Sequence, residues 1–504
     1  MAAIDTTPDT GNIRTPAPAT LSAEGSRVIW VLLSAAFVAI LNETTMGIAI
    51  PQLILTLGIT AVAAQWLTTA FMLTMAVVIP ITGFLIRRFS TRAMFVSAMT
   101  LFSAGTLVAF LAPGFEVLLA ARVVQASGTA ILMPLLMTTI MTVVPAHSRG
   151  AMMGRVSVVI ALAPAIGPSL SGLILQTAGW RWIFGAILPI ALVALFVGAK
   201  WIHNLGENTH ARIDILSVIL SALGFGGLVY GLSQLGGGGH GAGGGDAAAA
   251  DAIASTSLII ALVVGVISLG FFVWRQLVLQ RTDEALLDLR VFTSANFSLA
   301  LGQMVVISLV FFGAITLLPL YLQQVLALDP LISGLVLLPG ALAMGFAGPV
   351  IGRIYDRAGT RVLLVPGAVL TSGMLWLSTT YDQHTPLWLV ISVHTVLSIG
   401  LALSFTPLFT ASLGSLQPRY YSYGSAIVST AQQVAGAAGI ALMIGIMSSV
   451  AAGTGAAGAD AIAAEAQGIH SAFLVGAILS LLTIVGAFLI RKPADDLDAP
   501  PPVH

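Results

Sequence analysis

The sequence contains no cysteine. That excludes a disulfide framework, thiolate chemistry and any Cys-based metal site. Charge is nearly as scarce: 8% of residues are Asp, Glu, Lys or Arg, against roughly 25% in soluble domains. Lysine occurs only at Lys200 and Lys492, followed by Trp201 and Pro493. A phosphate-binding loop ends in Gly-Lys-Ser/Thr, so the chain carries no ATP site of that kind. The histidines are scattered, and no His-x-x-x-His or Gly-x-Ser-x-Gly site stands out. No catalytic or metal centre is therefore expected. Twenty basic residues balance twenty acidic ones, which gives no sign of nucleic-acid binding. Residues 1–27 lack the short apolar core and cleavage site of a secretory signal. Polar and Pro-containing, they read as a disordered tail.

What the chain has in abundance is apolar length. Hydrophobic residues make up 57% of it, with a mean hydropathy of +1.00. A run of about 20 apolar residues spans ~30 Å as a helix. Fourteen such runs occur, the first near 28–50 and the last near 470–490. Helices satisfy the backbone in lipid without an open edge, so the fold class is all-α integral membrane. An even number of spans puts both termini on one side. Loops on that side and the two tails hold eighteen of the twenty basic residues. The opposite loops hold Glu116, Asp246, Asp251, Asp329, Asp382, Asp460 and Glu465. Positive residues stay cytoplasmic, which predicts cytoplasmic termini in a bacterial-type inner membrane.

One acid breaks the apolar pattern. Glu43 lies in the first run, eight residues before Pro51, or about 12 Å along a helix. A charge at such depth costs about 2.5–3.5 kcal/mol on insertion scales. That cost marks Glu43 as a functional group, and proton uptake and release is the chemistry it suits. Arg122, in the fourth run, stands six residues past Glu116, at about 9 Å from the same surface. The two are expected to form the proton-coupling pair, driven by the proton gradient with no cofactor; the alternatives are that Arg122 binds carbonyls of the first run or only braces helices.

The chain also repeats itself. Gly83-Phe-Leu-Ile-Arg87-Arg88-Phe-Ser90-Thr-Arg92 follows the second run, and Gly352-Arg-Ile-Tyr-Asp356-Arg357-Ala-Gly359-Thr-Arg361 follows the tenth. Pro80 and Pro349 each precede the first Gly by three residues. Two six-helix halves separated by a two-helix insert place these loops equivalently. The predicted organisation is a tail at 1–27, a bundle at 28–205, two inserted helices at 206–295, a second bundle at 296–491 and a tail at 492–504. The tract Gly236–Gly245, between the inserted helices, reads as a flexible outer loop. Halves that rock about a central site are a common transporter plan.

Taken together, these segments resemble the major facilitator superfamily, and within it the fourteen-helix drug:proton antiporters of the lincomycin-resistance-like group. The paired Gly-to-Arg loops resemble the superfamily's signature. Arg122-Val-Val-Gln125-Ala126-Ser-Gly128 resembles its span-four motif, and Gly167-Pro168-Ser-Leu-Ser-Gly172 its span-five antiporter motif. Trp180-Arg-Trp-Ile-Phe184 and Pro319-Leu-Tyr-Leu-Gln323-Gln324 are similar to segments of the fourteen-helix branch. The resemblance implies the major-facilitator fold and multidrug efflux by antiport, with antibiotic resistance as the outcome. The implied partners are protons, small-molecule substrates and the lipid bilayer, with the protein monomeric. The chain departs from the pattern in places. The family's acid stands nine residues before the closing Pro, at Asn42 here, and Glu43 is one residue later. Arg87 replaces an Asp, Ser90 a Gly and Ala126 a Gly.

The remaining candidates follow. Asn42, Glu43, Gln125, Gln323, Gln324, His394, Gln432 and Gln433 are expected to line a substrate cavity, although polar residues in spans also bridge helices. Trp66 and Phe71 are expected to pack. Gly83, Arg88, Arg92, Gly167, Pro168, Gly172, Gly352, Asp356, Arg357, Gly359 and Arg361 are the gating candidates. Asp356 with Arg357 and Arg361 is expected to latch helices together on the cytoplasmic face. Export of a lipid or metabolite, and proton-coupled symport, remain alternatives to drug export.

Overall fold

The computed structural model describes residues 22–204, 213–237 and 247–493. Most of the Gly-rich tract, the first 21 residues and the end of the C-terminal tail lie outside them. Fourteen long helices form the molecule: α1 (Ala23–Leu57), α2 (Ala61–Arg88), α3 (Thr91–Leu111), α4 (Phe115–Val143), α5 (Arg149–Thr177), α6 (Arg181–Trp201), α7 (Ile215–Gly237), α8 (Ala247–Leu279), α9 (Ala295–Leu320), α10 (Pro330–Ala358), α11 (Arg361–Ser378), α12 (Leu387–Gly414), α13 (Tyr421–Ala456) and α14 (Ala461–Leu489). No strand occurs among the described residues. Thirteen of the fourteen contain stretches long and apolar enough to cross a membrane. The other, α5, has 29 residues, enough for about 43 Å of helix. Fourteen crossings return the chain to the side where it starts, the terminal face.

Hydroxyl caps set several helix starts. Ser22, Thr60, Ser90 and Ser294 each accept a hydrogen bond from the backbone N–H three residues on, at 3.0–3.3 Å. Such caps satisfy donors that the helix itself cannot. Ser22 therefore starts α1 at Ala23, inside the stretch expected to be tail, and Gly58, left-handed at φ 62°, stops it beyond the expected end near residue 50. Ser90, where the family carries Gly, earns its place as the cap of α3.

The helices pack as two groups of six. In the first, α3 lies on α4 and α6, α1 on α5, α4 and α6, and α2 on α4. In the second, α11 lies on α12 and α14, α13 on α9 and α14, and α10 on α12. The groups meet along two seams, α5 against α10 and α2 against α13. The hairpin of α7 and α8 leans on the second seam, with α7 touching both α2 and α13. Its outer helix, α8, exposes Ile259, Val263, Phe271 and Trp274, an apolar surface suited to lipid. Exposed tryptophans mark two levels: Trp30, Trp201 and Trp274 near the terminal face, and Trp182, Trp376 and Trp388 near the opposite one. Indole rings favour the two membrane–water boundaries, so these levels bracket a bilayer. The protein is a multi-pass membrane protein.

Candidate functional site

Arg122 is the largest fully buried side chain among the described residues, 1% exposed. A buried guanidinium is tolerated only with partners, and two helices supply them. Its Nη1 donates to Gln125 Oε1 at 2.6 Å, one turn along α4. Its Nε reaches the Leu67 carbonyl of α2 at 3.5 Å. Its Cζ lies 4.1 Å from the centre of the Phe71 ring, also on α2. Gln125 is held in turn, its Nε2 donating to Thr106 Oγ1 of α3 at 2.8 Å. Close approach of α3 and α4 makes this possible: a Cβ on Gly128 would lie 2.3 Å from the Ala98 carbonyl oxygen. Phe71, expected only to pack, is therefore a face on which the cation rests.

Glu43, on α1, is half-buried. Arg122 acts on it through space, yet no hydrogen bond or ion pair joins the carboxylate to another described residue. A carboxylate held by no fixed donor keeps both oxygens available to a proton. Asn42, one residue earlier, is fully buried, with both its amide atoms unpartnered. The two neighbours thus face different surroundings, and the half-buried position carries the acid.

The other residues expected in one substrate cavity are dispersed. Gln125 is fully buried and braces Arg122. Gln323 and Gln324 are exposed, on a π-helical turn that ends α9 away from the terminal face. His394, on α12, packs on Gly340 of α10. With Phe311, Thr371, Tyr381 and Phe473 it lines a mainly apolar cavity of about 30 Å³ in the second group, room for one water. Gln432 and Gln433 are half-buried on α13, and Gln433 Nε2 has no partner.

The gating candidates sort by seam. Along α5 and α10 the backbones touch. A Cβ on Gly154 would lie 2.2 Å from the Gly348 oxygen, and one on Gly352 2.1 Å from the Gly150 oxygen. Gly150-x-x-x-Gly154 thus meets Gly348-x-x-x-Gly352, the small-residue spacing that lets membrane helices close up. Below them, Asp356 Oδ1 and Oδ2 accept from the amides of Gly150 and Ala151, each at 2.8 Å. These are free amides of the first turn of α5, where a negative charge is favourable. The latch expected of Asp356 with Arg357 and Arg361 is built differently: both arginines are exposed and take no part. The backbone carbonyl of Asp356 instead receives Lys492 Nζ at 3.1 Å.

Along α2 and α13, a Cβ on Gly83 would lie 3.1 Å from both Ala426 Cβ and the Ser422 oxygen. Arg87, in the place equivalent to Asp356, donates from Nη1 to Tyr423 Oη at 2.7 Å, with Cζ 4.9 Å from the ring centre. Hydroxyl pairs Thr138–Ser425 and Ser157–Thr406, each 2.7 Å, also cross between the groups. Arg88 lies over Phe89, and Arg92 is exposed. Gly359 ends α10 at φ 82°, which favours glycine. Gly167 sits against Thr44 of α1, where a Cβ would come 2.2 Å from Oγ1, whereas Gly172 has nothing within 4 Å. The backbone of α5 stays helical through Pro168, so no break occurs there; its side chain lies outside the described set. Sequence reasoning missed Gly150, Gly154 and Tyr423. The glycine spacing was visible; the tyrosine carried no signal of its own.

The sequence profile described as Major Facilitator Superfamily matches residues 32–440. The uncharacterized MFS-type transporter YcnB of Bacillus subtilis is 41% identical over 93% of this chain and 95% of its own length. The lincomycin resistance protein LmrB of Listeria monocytogenes is 39% identical over 92% of this chain and 96% of its own. Among solved structures, the human organic anion transporter MFSD10 superposes with a TM-score of 0.63 at 13% identity, covering 92% of this chain and 99% of that one.

Proposed function

This chain belongs to the Major Facilitator Superfamily, a family of membrane transporters and not of enzymes, and from that premise we propose that it exports drugs or other amphiphilic small molecules in exchange for protons. The observation that carries the proposal is Glu43: an acid within a membrane span, half-buried and held by no hydrogen bond, beside the fixed charge of Arg122. Likeness to a lincomycin resistance protein supports the substrate class and the outward direction.

The cycle we propose is alternating access. Residues 28–205 and 296–491 rock as two bodies, with 206–295 as the insert. The basic loops support a cytoplasmic terminal face. With both seams shut on that face, Glu43 is served from outside, takes a proton there and lets substrate leave. When the seams part, the proton passes to the cytoplasm and substrate enters. Gly83, Gly352 and Asp356 act at the seams, and Gly167 holds α5 to α1. Each proton supplies about 1.4 kcal/mol per pH unit, and each net charge moved about 2.3 kcal/mol per 100 mV. The test is proton flux and uphill drug movement in liposomes, with a panel of lincosamides and lipophilic cations, for the parent chain and Glu43→Gln. Uphill movement that persists in a well-inserted Glu43→Gln protein rules this coupling out.

A further inference from the structure

The two seams are equivalent in plan but not in chemistry. At the first, Asp356 caps the start of α5. At the second, the equivalent side chain is Arg87, which approaches the start of α13, whose first residues are Tyr421, Ser422 and Tyr423. A cation gains nothing from the positive end of a helix. Something else must complete this closure, and the connection from α8 to α9, residues 280–294, is placed to do so.

Tyr423 Oη accepts from Arg87 at 2.7 Å and donates to the carbonyl of Ala285, in that connection, at 3.3 Å. Asp283, two residues earlier, is held below the usual carboxylate range by its hydrogen bond to Arg290, with Arg419 and Arg87 adding to the field. Acidic charge absent from α2 is thus returned by the connection. The connection is itself anchored. Gln276 of α8, fully buried, accepts from the amides of Leu286 and Leu287 at 2.7 and 3.1 Å. Its Nε2 donates to Ser217 of α7 at 2.8 Å. Asp214 grips Arg275 through two bonds of 2.6 and 2.8 Å, tying the base of the hairpin together.

We propose that the α8–α9 connection is the closing part of the second seam: Ala285 and Tyr423 take over the task of the missing carboxylate, and Gln276 is the positioning residue that presents them. The inserted helices thereby set how readily the terminal face opens. This rests on the alternating-access reading above.

The cysteine-free chain makes the test direct. Spin labels at Arg92→Cys and Arg361→Cys, both exposed and in different groups, report the width of the terminal face. Tyr423→Phe keeps the ring over which Arg87 lies and removes only the hydroxyl. It is expected to shift the closed-to-open ratio about tenfold towards open, or ~1.4 kcal/mol. Gln276→Leu should shift it in the same direction, and the two together by no more than the larger alone, because both cut one path. Full additivity, or a Tyr423→Phe distribution that matches the parent, overturns the proposal. If Gln276→Leu does not fold, Tyr423→Phe alone decides. Asp356→Asn separates this inference from its premise. Movement with Asp356→Asn but not with Tyr423→Phe removes the role of the connection and leaves alternating access standing. Labels that respond to no variant, substrate or pH remove alternating access itself.

Discussion

Replacing Gly154 with alanine adds one methyl group at one of the tightest points between the two groups of helices. In the structure that carbon would sit 2.2 Å from the Gly348 oxygen and 2.7 Å from its carbonyl carbon. Non-bonded atoms settle at about 3.5–4.0 Å, so α5 and α10 must part by more than 1 Å at this level. Both obstructing atoms are backbone, and no rotamer change relieves them. Overpacking of this kind costs about 1–3 kcal/mol. The cost falls only on the state in which the seam is shut, because the contact is absent once the seam opens. The closed-to-open ratio should therefore drop between about fivefold and 150-fold. Double electron–electron resonance between labels at residues 92 and 361 reads that ratio directly. Gly172→Ala, on the same helix but with nothing within 4 Å of the added carbon, is the matched control and should leave the distribution unchanged. Uphill export should slow in Gly154→Ala, since the cycle must pass through the disfavoured state. If the two alanine variants give the same distances and the same transport, the seam does not report the shut state and the reasoning fails.

Three further outcomes are expected. Glu43→Gln should insert and fold normally, since it removes a membrane-embedded charge, but should equilibrate substrate without concentrating it, measured in liposomes with an imposed pH gradient. Phe71→Leu removes the ring 4.1 Å from Arg122; with about 0.5–2 kcal/mol lost from the cation's support, export should fall several-fold while protein yield is maintained. Asp214 is held at about 2 by its hydrogen bonds to Arg275, with Ser217 contributing. A carboxyl lowered on folding stabilises fully above its ordinary value of 3.8 and loses that contribution as pH falls through about 2. Melting curves of the parent and Asp214→Asn should accordingly differ by a pH-independent offset between pH 5 and 8, of ~1 kcal/mol or less for so accessible a pair.

The number of helices was legible in the sequence because apolar length is a strong signal, and charge sidedness supported the threading. Helix ends were less so. Ser22 and Gly58 fix the limits of α1, and both lie outside the apolar run that marks a span. Glu43 and Arg122 were visible as charges in apolar surroundings. Facing was not visible: Gln125 and Asn42 read as cavity residues by type, yet both are fully buried. The spacing of three between Arg122 and Gln125 does place them on one helix face, and that pattern points to a brace. The partners of Asp356 could not be read from residue types at all. They are main-chain amides at a helix start, which every sequence possesses and none advertises.

In the proposed cycle, the path from the acid to the gate runs along α5. In its half nearer the terminal face α5 lies on α10, through Gly150 and Gly154. In its other half it lies on α1, where Gly167 meets Thr44 and Ser171 Oγ donates to the Thr45 carbonyl at 3.0 Å. Thr44 and Thr45 directly follow Glu43 in α1. A helix gripped in this way cannot swing from α10 without either dragging α1 or sliding across it. The grip on α10 is a close backbone contact, and the grip on α1 runs through the Thr44 side chain and the Ser171 hydroxyl; tight packing of this kind resists small continuous shifts and favours discrete arrangements. In the proposed cycle, a change of charge at Glu43 therefore acts on a helix that touches α5, the helix at the first seam. The Arg122 side is fixed by contrast, with its guanidinium held by α2 and, through Gln125, by α3. Both members of the pair lie in the first group of helices, so rocking of the groups as bodies carries Glu43 and Arg122 together. In the proposed cycle, Arg122 is the charge that stays constant and Glu43 the one that changes, and α1 passes that change to α5 through Thr44 and Thr45.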